Sequence, residues 1–374
     1  MDRTDRTQAA SRVVPPRDKG HIPPNKKGWK RMAHYLTRRG IASGLAAVVA
    51  GPRLARAQAG KPDAAAEEGT LTWYIAQVDA QTAEKLGHSF TERYSGVNVG
   101  VIRTTGQVAY QRLLMDIKNH TPQCDVFSTT DISHMPILKE RGELADYVPA
   151  GAEALMPAFK PLSDPGFSYI TNAARYFLIY NKDKVSPEDV PRAWTDLLDP
   201  KWKGRVATGH PAFSGCTGTW ALGIKKVHGW GFFESLAKNN PRIGRSAVDP
   251  MTLINAGECL VGVGAANNAY ASIDKGNPIG VVHPSDGLVL CVTPSAIPAH
   301  APHPNAARLF MDWLLSPDYA RMIAMDGSEP ILVGIPPRPG MPPLADVKII
   351  PLTVDEIRAG VPEVIEQWRD TFGS

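Results

Sequence analysis

Cysteine is scarce in this 374-residue sequence, which has only four cysteines and no C-x-x-C pair. No histidine stands near them at the spacing of a zinc site, so the pattern predicts neither a zinc centre nor a redox pair. Isolated cysteines in a chain of this length are typical of small buried hydrophobic residues, although an exported chain also permits a disulfide. The four are Cys124, Cys216, Cys259 and Cys291.

Signatures of several enzyme classes are also missing. The sequence has no G-x-S-x-G, no G-x-x-x-x-G-K-[ST], no G-x-G-x-x-G and no H-E-x-x-H. We therefore predict no enzymatic activity and no cofactor. One enzymatic alternative stays open, a periplasmic hydrolase or transferase that uses Cys216 as a nucleophile at a helix N-terminus, where the helix dipole favours a thiolate.

The N-terminal part has no long hydrophobic run. The apolar run at 41–51 is much shorter than the roughly 20 residues of a membrane span. It follows Arg38 and Arg39, and small residues spaced A-x-A come after it at 55–57 and 57–59. A charged start, a short apolar core and a small-residue exit predict a secretory signal peptide, and the arginine pair predicts twin-arginine export to the periplasm.

The N-terminal part also carries the basic charge. Residues 1–31 show no apolar periodicity and are predicted to be a disordered extension, with Met32 as the predicted true start. Up to Ala57 there are thirteen Lys or Arg and three Asp, a charge of +10, so the rest carries −6 because the whole chain has +4. A mildly acidic mature protein has no general electrostatic reason to bind nucleic acid or anionic lipid. No nucleic-acid partner is predicted, and a monomer is the expected state.

From residue 70 the pattern alternates between strand and helix. Short β-rich runs at 70–76, 98–104 and 124–129 are separated by amphipathic stretches at 80–94 and 109–119. This alternation predicts an α/β fold with mixed, mainly parallel sheets and helices on both faces.

A second block of the same kind follows a long apolar strand at 174–185, and 304–325 is predicted to be helical. Two further strands are predicted around Asp286-Gly287 within 278–298. About 315 residues follow the leader, which is more than one hydrophobic core usually serves, so two lobes are predicted.

Three stretches in a fixed order resemble the extracellular solute-binding proteins of ABC importers, in the branch that includes ferric-iron binders. They are FTERYSGVNVGVIRTTGQVAYQRL, CDVFSTTDISHMPILKERGELADYVP and NPIGVVHPSDGLVLCVTPSAIPAHAPHPNAARLFMDWLLSPDYARMIA. The resemblance covers about residues 70–330. It implies a periplasmic-binding-protein fold of the second structural class (class II), with two lobes joined by a two-strand hinge.

The resemblance also implies an organisation and a function. Its lobes and crossing strands are 70–173 with 286–374 for lobe 1, 174–285 for lobe 2, and strands near 172–180 and 280–290. The implied function is capture of a small solute for an ABC permease in the inner membrane. A signalling receptor that presents its ligand to a sensor kinase stays open as an alternative.

Ligands of open α/β sheets bind outside the carboxyl ends of the strands. Glycines and small hydroxyl residues at the helix starts there leave room for an anion at the positive end of the helix dipole, although the same residues serve as ordinary helix caps. The predicted solute is therefore a small anion of the phosphate, phosphonate or carboxylate type. The predicted contacts are Gln77, Asp79, Thr105, Gly106, Gln107, Thr129, Thr130, Ser214, Gly215, Thr217, Gly218 and Asn268.

Two further residues are candidates at the crossing between the lobes. Arg175 can clamp an oxyanion there, or it can form a salt bridge within the protein. Tyr270 matches the first of two adjacent tyrosines that ferric-binding relatives use, but Ala271 occupies the second position. Ferric iron is therefore the alternative ligand, with Tyr270 as its predicted metal ligand, and an anion is preferred.

Overall fold

The computed structural model describes residues 60–373. The predicted extension and signal peptide over 1–59 lie outside the described residues. None of the described helices combines the length and the apolar character that a membrane-spanning helix requires.

Helices and strands alternate along most of the described chain. The helices are α1 (Pro62–Glu68), α2 (Ala80–Arg93), α3 (Gly106–Lys118), α4 (His134–Glu140), α5 (Gly215–His228), α6 (Gly231–Lys238), α7 (Asp249–Asn255), α8 (Ala266–Asp274), α9 (Pro304–Leu314), α10 (Pro317–Met325) and α11 (Val354–Phe372). The strands are β1 (Thr70–Ile75), β2 (Asn98–Arg103), β3 (Val126–Ser128), β4 (Tyr169–Asn181), β5 (Val206–Thr208), β6 (Arg242–Ile243), β7 (Val261–Ala265), β8 (Ile279–Val282) and β9 (Val289–Ala296).

The sheet is mixed, as predicted, and its two kinds of pairing separate by position. The strand order is β2-β1-β3-β9-β4-β7-β5-β6, and β8 pairs with β4. Strand β1 is parallel to β2 and β3, and β5 is parallel to β6 and β7. Every antiparallel pair involves β4 or β9. Two parallel α/β blocks are therefore joined through two long antiparallel strands.

The hydrophobic core divides in the same way. One large cluster surrounds β1, α2 and α9, and another surrounds β7, α5 and α6. Strand β4 contributes Ile170 and Ala173 to the first cluster and Tyr176 and Leu178 to the second. Each cluster is an apolar interior of its own, and β4 and β9 run through both. This arrangement confirms the predicted two-lobed fold with a two-strand hinge, but the second crossing strand is β9 at Val289–Ala296 and not the predicted stretch near 280–290.

The two faces of β9 border different spaces. Cys291 and Thr293 point to the side where the carboxyl ends of the parallel strands meet. Leu290 and Val292 point to the other side, where they line an apolar groove together with residues 349–352. Side chains alternate between the faces of a strand, so this one strand separates a polar space from an apolar one.

The C-terminal helix differs from the predicted lobe assignment. Helix α11 lies against α5 and α6, and its Trp368 packs on Trp220 and Phe233 with ring centroids 6.5 and 5.4 Å apart. Its first half instead contributes Ile357 and Val361 to the cluster around β1. Residues 286–374 therefore do not pack only with the first block, because the apolar stripe of α11 spans both clusters.

The helix predicted over 304–325 is in fact two helices. Ser316 accepts a hydrogen bond from the Tyr319 N–H at 3.3 Å, and Pro317 occupies the first position of α10. A proline is compatible with the first turn of a helix but not with its interior, so the chain ends α9 and caps a new helix. The short helix α1 was not predicted.

Candidate functional site

A cleft of about 500 Å³, open solvent at its mouth included, lies where the carboxyl ends of the parallel strands from both blocks meet. The loops after β1, β2 and β3 form one wall, and those after β5, β6 and β7 form the other. Strands β4 and β9 form the floor through Asn172, Ala174, Cys291 and Thr293. The remaining lining residues are Ala76, Gln77, Arg103, Thr105, Gly106, Thr130, Phe213, Ser214, Cys216, Ser246, Ala247, Val248, Ala265, Asn267 and Asn268.

Six of the predicted residues line this cleft. They are Gln77, Thr105, Gly106, Thr130, Ser214 and Asn268. Their common feature is a position directly after a strand and at or just before the start of a helix, which is the pattern that predicted them. Whether each contacts a solute stays a prediction.

Three other predicted residues serve the protein's own structure. The Asp79 carboxylate caps α2 by accepting from the Thr82 N–H at 2.9 Å. The Gln107 amide donates to Asp131 Oδ2 at 2.9 Å. Thr129 is fully buried, and its hydroxyl is 2.9 Å from Nδ1 of His134. None of the three lines the cleft, and the polar group of each has a partner within the protein.

The first turn of α5 has a different role from the predicted one. Ser214 caps the helix through the Thr217 N–H at 3.3 Å, and the Thr217 hydroxyl is 3.4 Å from the Tyr176 hydroxyl. A Cβ atom on Gly218 would come within 3.0 Å of Val361 of α11. Gly215, Thr217 and Gly218 are thus packing positions, and only Ser214 of this turn both caps the helix and lines the cleft.

Gly215 lies at a close backbone contact between the two blocks. A Cβ atom there would lie 2.4 Å from the carbonyl oxygen of Thr130 and 2.6 Å from the Asp131 nitrogen. Real Cβ atoms do not approach backbone this closely, so only glycine permits the contact. The N-terminus of α5 therefore meets the loop after β3 across the cleft.

Arg175 is not in the cleft, contrary to its predicted role as an oxyanion clamp. Its guanidinium is fully buried and forms a bidentate ion pair with Glu329. It also lies 3.1 Å from Nε2 of His283 and donates to the Pro342 carbonyl at 2.7 Å. The salt-bridge alternative therefore accounts for this residue, because each nitrogen of its guanidinium has a partner within the protein.

Burial dominates the ionisation of that cluster. It raises the pKa of Glu329, and the Arg175 guanidinium opposes the rise. It also lowers the pKa of His283, and the neighbouring Arg175 lowers it further. The pair holds the segment after α10 against β4, since the Glu329 N–H also donates to the Ala173 carbonyl at 2.7 Å.

Tyr270 also points away from the cleft. Its ring packs edge-on against Phe177 and lies beneath Arg338, whose guanidinium carbon is 5.0 Å from the ring centroid. Burial raises the pKa of its phenol above the ordinary value. The side chain is nine-tenths buried and does not line the cleft, so it is not placed to hold a metal ion there.

The structure contradicts the alternative in which Cys216 is a nucleophile, which the sequence left open but did not favour, because its sulfur forms a disulfide with Cys291. The bond joins the first turn of α5 to the floor strand β9, with the two Cα atoms 5.1 Å apart. Cys124 and Cys259 are free and buried, as predicted. The disulfide itself was considered from the sequence but not preferred.

Arg103 is a charged cleft residue that was not predicted from the sequence. It ends β2, and its Nε donates to the Val78 carbonyl at 2.8 Å, which fixes the guanidinium at the cleft wall. Burial lowers the pKa of Arg103, while Asp79 and Asp249 oppose that change. Both carboxylates are already used as acceptors, Asp79 by Thr82 and Asp249 by Ser246. Neither lines the cleft.

Several polar atoms at the cleft are buried and have no hydrogen-bond partner. They are Oγ1 of Thr105, both amide atoms of Gln77 and Oδ1 of Asn267. The Asn267 side chain is 95 % buried, and its amide nitrogen donates to the Gln77 carbonyl at 2.8 Å. A buried polar group without a partner is costly, and its presence is typical of a binding site.

Comparisons with known proteins agree with this geometry. The family model described as bacterial extracellular solute-binding protein matches residues 122–344. The spermidine/putrescine-binding periplasmic protein of Escherichia coli is 26 % identical over 50 % of this chain and 54 % of its own length. Iron uptake protein A1 of Synechocystis is 25 % identical over 68 % of this chain and 74 % of its own length. This chain thus spans about half the length of the polyamine-binding relative.

A solved structure shows the same fold. The periplasmic binding protein AfuA of Actinobacillus pleuropneumoniae, with exogenous fructose-6-phosphate bound, superposes with a TM-score of 0.72 at 21 % identity. The match covers 82 % of this chain and 99 % of that one.

Proposed function

Because the chain belongs to the bacterial extracellular solute-binding protein family, we propose that it captures a small organic anion and delivers it to an ABC permease of the inner membrane. The anion carries a phosphate, phosphonate or carboxylate group. One observation carries this proposal: among the described residues, Arg103 is the only charged side chain that lines the cleft. An arginine fork matches the geometry of such an oxyanion.

The neutral lining supports the same choice. The cleft lies beside the N-termini of α3 and α5, where free N–H groups and the helix dipole favour negative charge. The unpaired Thr105 hydroxyl can donate to the same anion. The unpaired Asn267 oxygen accepts only, so the solute also carries a hydroxyl or amino group.

The relatives' other ligands fit this cleft less well. A polyamine needs carboxylates, and a ferric ion needs anionic oxygen ligands. Within residues 60–373, the cleft lining contains no Asp, Glu, His or Tyr. This lining argues against ferric iron as the first choice. Ferric iron is kept as the second candidate because of the likeness to the Synechocystis iron uptake protein.

We further propose that the mature protein is periplasmic and that its two lobes close on the solute. Export by a twin-arginine leader places the mature protein in the periplasm. The lobe limits are those of the resemblance, 70–173 with 286–374 and 174–285, except that α11 also packs on lobe 2. Closure then brings Gly215 of lobe 2 against Thr130 of lobe 1, and a solute favours closure through contacts that only the closed form makes.

A panel of candidate solutes tests the proposed function by thermal denaturation. The probes are inorganic phosphate, 2-aminoethylphosphonate, fructose 6-phosphate, citrate, spermidine and ferric nitrilotriacetate. A solute at 100 times its dissociation constant stabilises the native state by about 2.7 kcal/mol, so we expect an organic anion to raise the melting temperature by roughly 5 °C. A response to spermidine alone, or to ferric iron alone, would contradict the proposal.

Substitution of Gly215 by alanine tests closure. The added Cβ overlaps the Thr130 backbone only when the lobes meet, so the closed form is strained by about 1–3 kcal/mol while each lobe is unaffected. We expect the affinity for the responding anion to fall roughly 5- to 150-fold, with an unchanged melting temperature without solute. Isothermal titration calorimetry measures the first quantity.

Gly231→Ala is the matched control. Gly231 also begins a helix of the second block, but a Cβ atom there meets nothing within 4 Å. Its affinity should equal that of the unsubstituted protein. Equal affinities for the two variants would show that binding does not require the Gly215 contact.

A further inference from the structure

The half-buried carboxylate of Asp312 binds the first described residue of the chain. Asp312 lies on α9, and its Oδ2 accepts from the Gly60 backbone nitrogen at 2.7 Å. Its Oδ1 accepts from the Tyr147 hydroxyl at 2.7 Å and from the Ala150 N–H at 2.8 Å. Gly60 is far in sequence from the other two donors, which lie three residues apart in one segment, and in an uncleaved chain all three donors are neutral.

Residue 60 must be glycine for this contact to form. A Cβ atom on Gly60 would lie 2.6 Å from both the Cα and the nitrogen of Leu309, one turn before Asp312 on the same helix. Helix α1 begins two residues later, and it packs along α9 with Ala65 fully buried. The backbone at Gly60 is therefore pressed against α9.

The same residue follows a processing sequence. Ala57-Gln58-Ala59 directly precedes Gly60, and small residues three and one positions before the scissile bond are what a leader peptidase recognises. The alternative at 55–57 places two residues between the cut and Gly60. Two independent observations thus indicate Gly60 as the first residue of the processed chain: the A-x-A pattern before it and the hydrogen bond from its nitrogen to Asp312.

We propose that cleavage occurs between Ala59 and Gly60, and that Asp312 is the receptor for the new N-terminus. A leader peptidase uses one water molecule to hydrolyse the Ala59–Gly60 peptide bond. The carboxylate stays on Ala59, and the Gly60 nitrogen gains a proton to become an ammonium. Processing replaces a hydrogen bond from a neutral amide with an ion pair between an ammonium and the Asp312 carboxylate, which is stronger because both partners are then charged.

Removal of the leader therefore strengthens the attachment of the N-terminal segment to α9. The Tyr147 hydroxyl and the Ala150 N–H hold the carboxylate in place from the other side. A cut after Ala57 leaves the positive charge two residues away from Asp312, and a neutral amide remains at Gly60.

The first test is the N-terminus of the exported protein, determined by intact mass and N-terminal sequencing. We expect a chain that begins at Gly60. Any other first residue overturns the proposal.

The second test measures the charge coupling. Two purified forms are compared, one that begins at Gly60 and one that begins at Gln58, each with Asp312 and with Asp312→Asn. We expect Asp312→Asn to lower the melting temperature about 2–4 °C more in the form that begins at Gly60, because only that form has an ammonium beside the carboxylate. Equal shifts in the two forms overturn the proposal.

Asp318→Asn is the control, because Asp318 is an exposed carboxylate on α10 that pairs with Arg321. Its shift should not depend on where the chain begins. Should Asp312→Asn fail to fold, acetylation of the Gly60 amine in the unsubstituted protein removes the charge alone. We then expect the acetylated form to melt about 2–4 °C lower, and an unchanged melting temperature overturns the proposal.

Discussion

Replacing Arg103 by alanine is expected to weaken binding of the responding anion at least roughly 100-fold. The Nε–H bond to the Val78 carbonyl fixes the guanidinium and leaves its two terminal nitrogens for the solute. Hydrogen bonds to a charged group contribute about 1.5–3 kcal/mol each, and two of them are lost together. Isothermal titration calorimetry with fructose 6-phosphate or 2-aminoethylphosphonate, whichever raised the melting temperature, measures the loss.

Two further variants define what the Arg103 result means. Arg103→Lys keeps the charge but not the fork, so its affinity should fall between those of alanine and arginine. Arg369→Ala removes an exposed arginine on α11 whose partner is the adjacent Asp370, and it should bind normally. Unchanged affinity of Arg103→Ala would remove the main support for an anionic solute.

Breaking the buried pair of Arg175 and Glu329 is expected to cost about 3–5 kcal/mol of unfolding free energy. Either Arg175→Met or Glu329→Gln leaves the other group buried without its partner. The melting temperature should fall by roughly 5–10 °C. Denaturation monitored by circular dichroism measures the change in each variant.

The matched control is Arg321→Ala, which breaks the exposed pair with Asp318 and should cost less than about 1 kcal/mol. The comparison also distinguishes the two roles considered for Arg175. A clamp on the solute predicts lost affinity at unchanged stability, whereas the observed ion pair predicts lost stability. A stable Arg175→Met variant that no longer binds would contradict the structural role.

The position of the cleft was predictable because it follows from local chain features. Strand ends, glycines and hydroxyl residues before helices are visible in sequence, and parallel strands must bring their carboxyl ends to one edge. Thr105, Gly106 and Ser214 were found in this way. The same features cannot distinguish a helix cap from a lining residue, which is why Asp79 and Thr129 were also chosen.

The role of a charged residue was not predictable in the same way. Arg175 pairs with Glu329, which is 154 residues later, and no residue near Arg175 in the sequence indicates that partner. Arg103 ends an ordinary alternating strand, and only the fold places it at the cleft wall. Tyr270 had a local match to a family pattern, but the packing of Phe177 and Arg338 around its ring decides its direction.

The disulfide and the C-terminal helix have the same explanation. Cys216 and Cys291 are 75 residues apart and are brought together by the packing of α5 on β9. The resemblance assigned residues 286–374 to lobe 1, and no local feature of the sequence shows that α11 also packs on α5 and α6. Both depend on contacts between distant segments, which spacing along the chain does not encode.

The two-sided strand β9 has a mechanical consequence. In the proposed closure, a bend at β9 that narrows the cleft on one face widens the apolar groove beside Leu290 and Val292 on the other face. The side chains of this groove do not line the cleft, and their size would then affect the balance between the open and closed forms. Substitutions in this groove can thus change the affinity for the solute without contacting it.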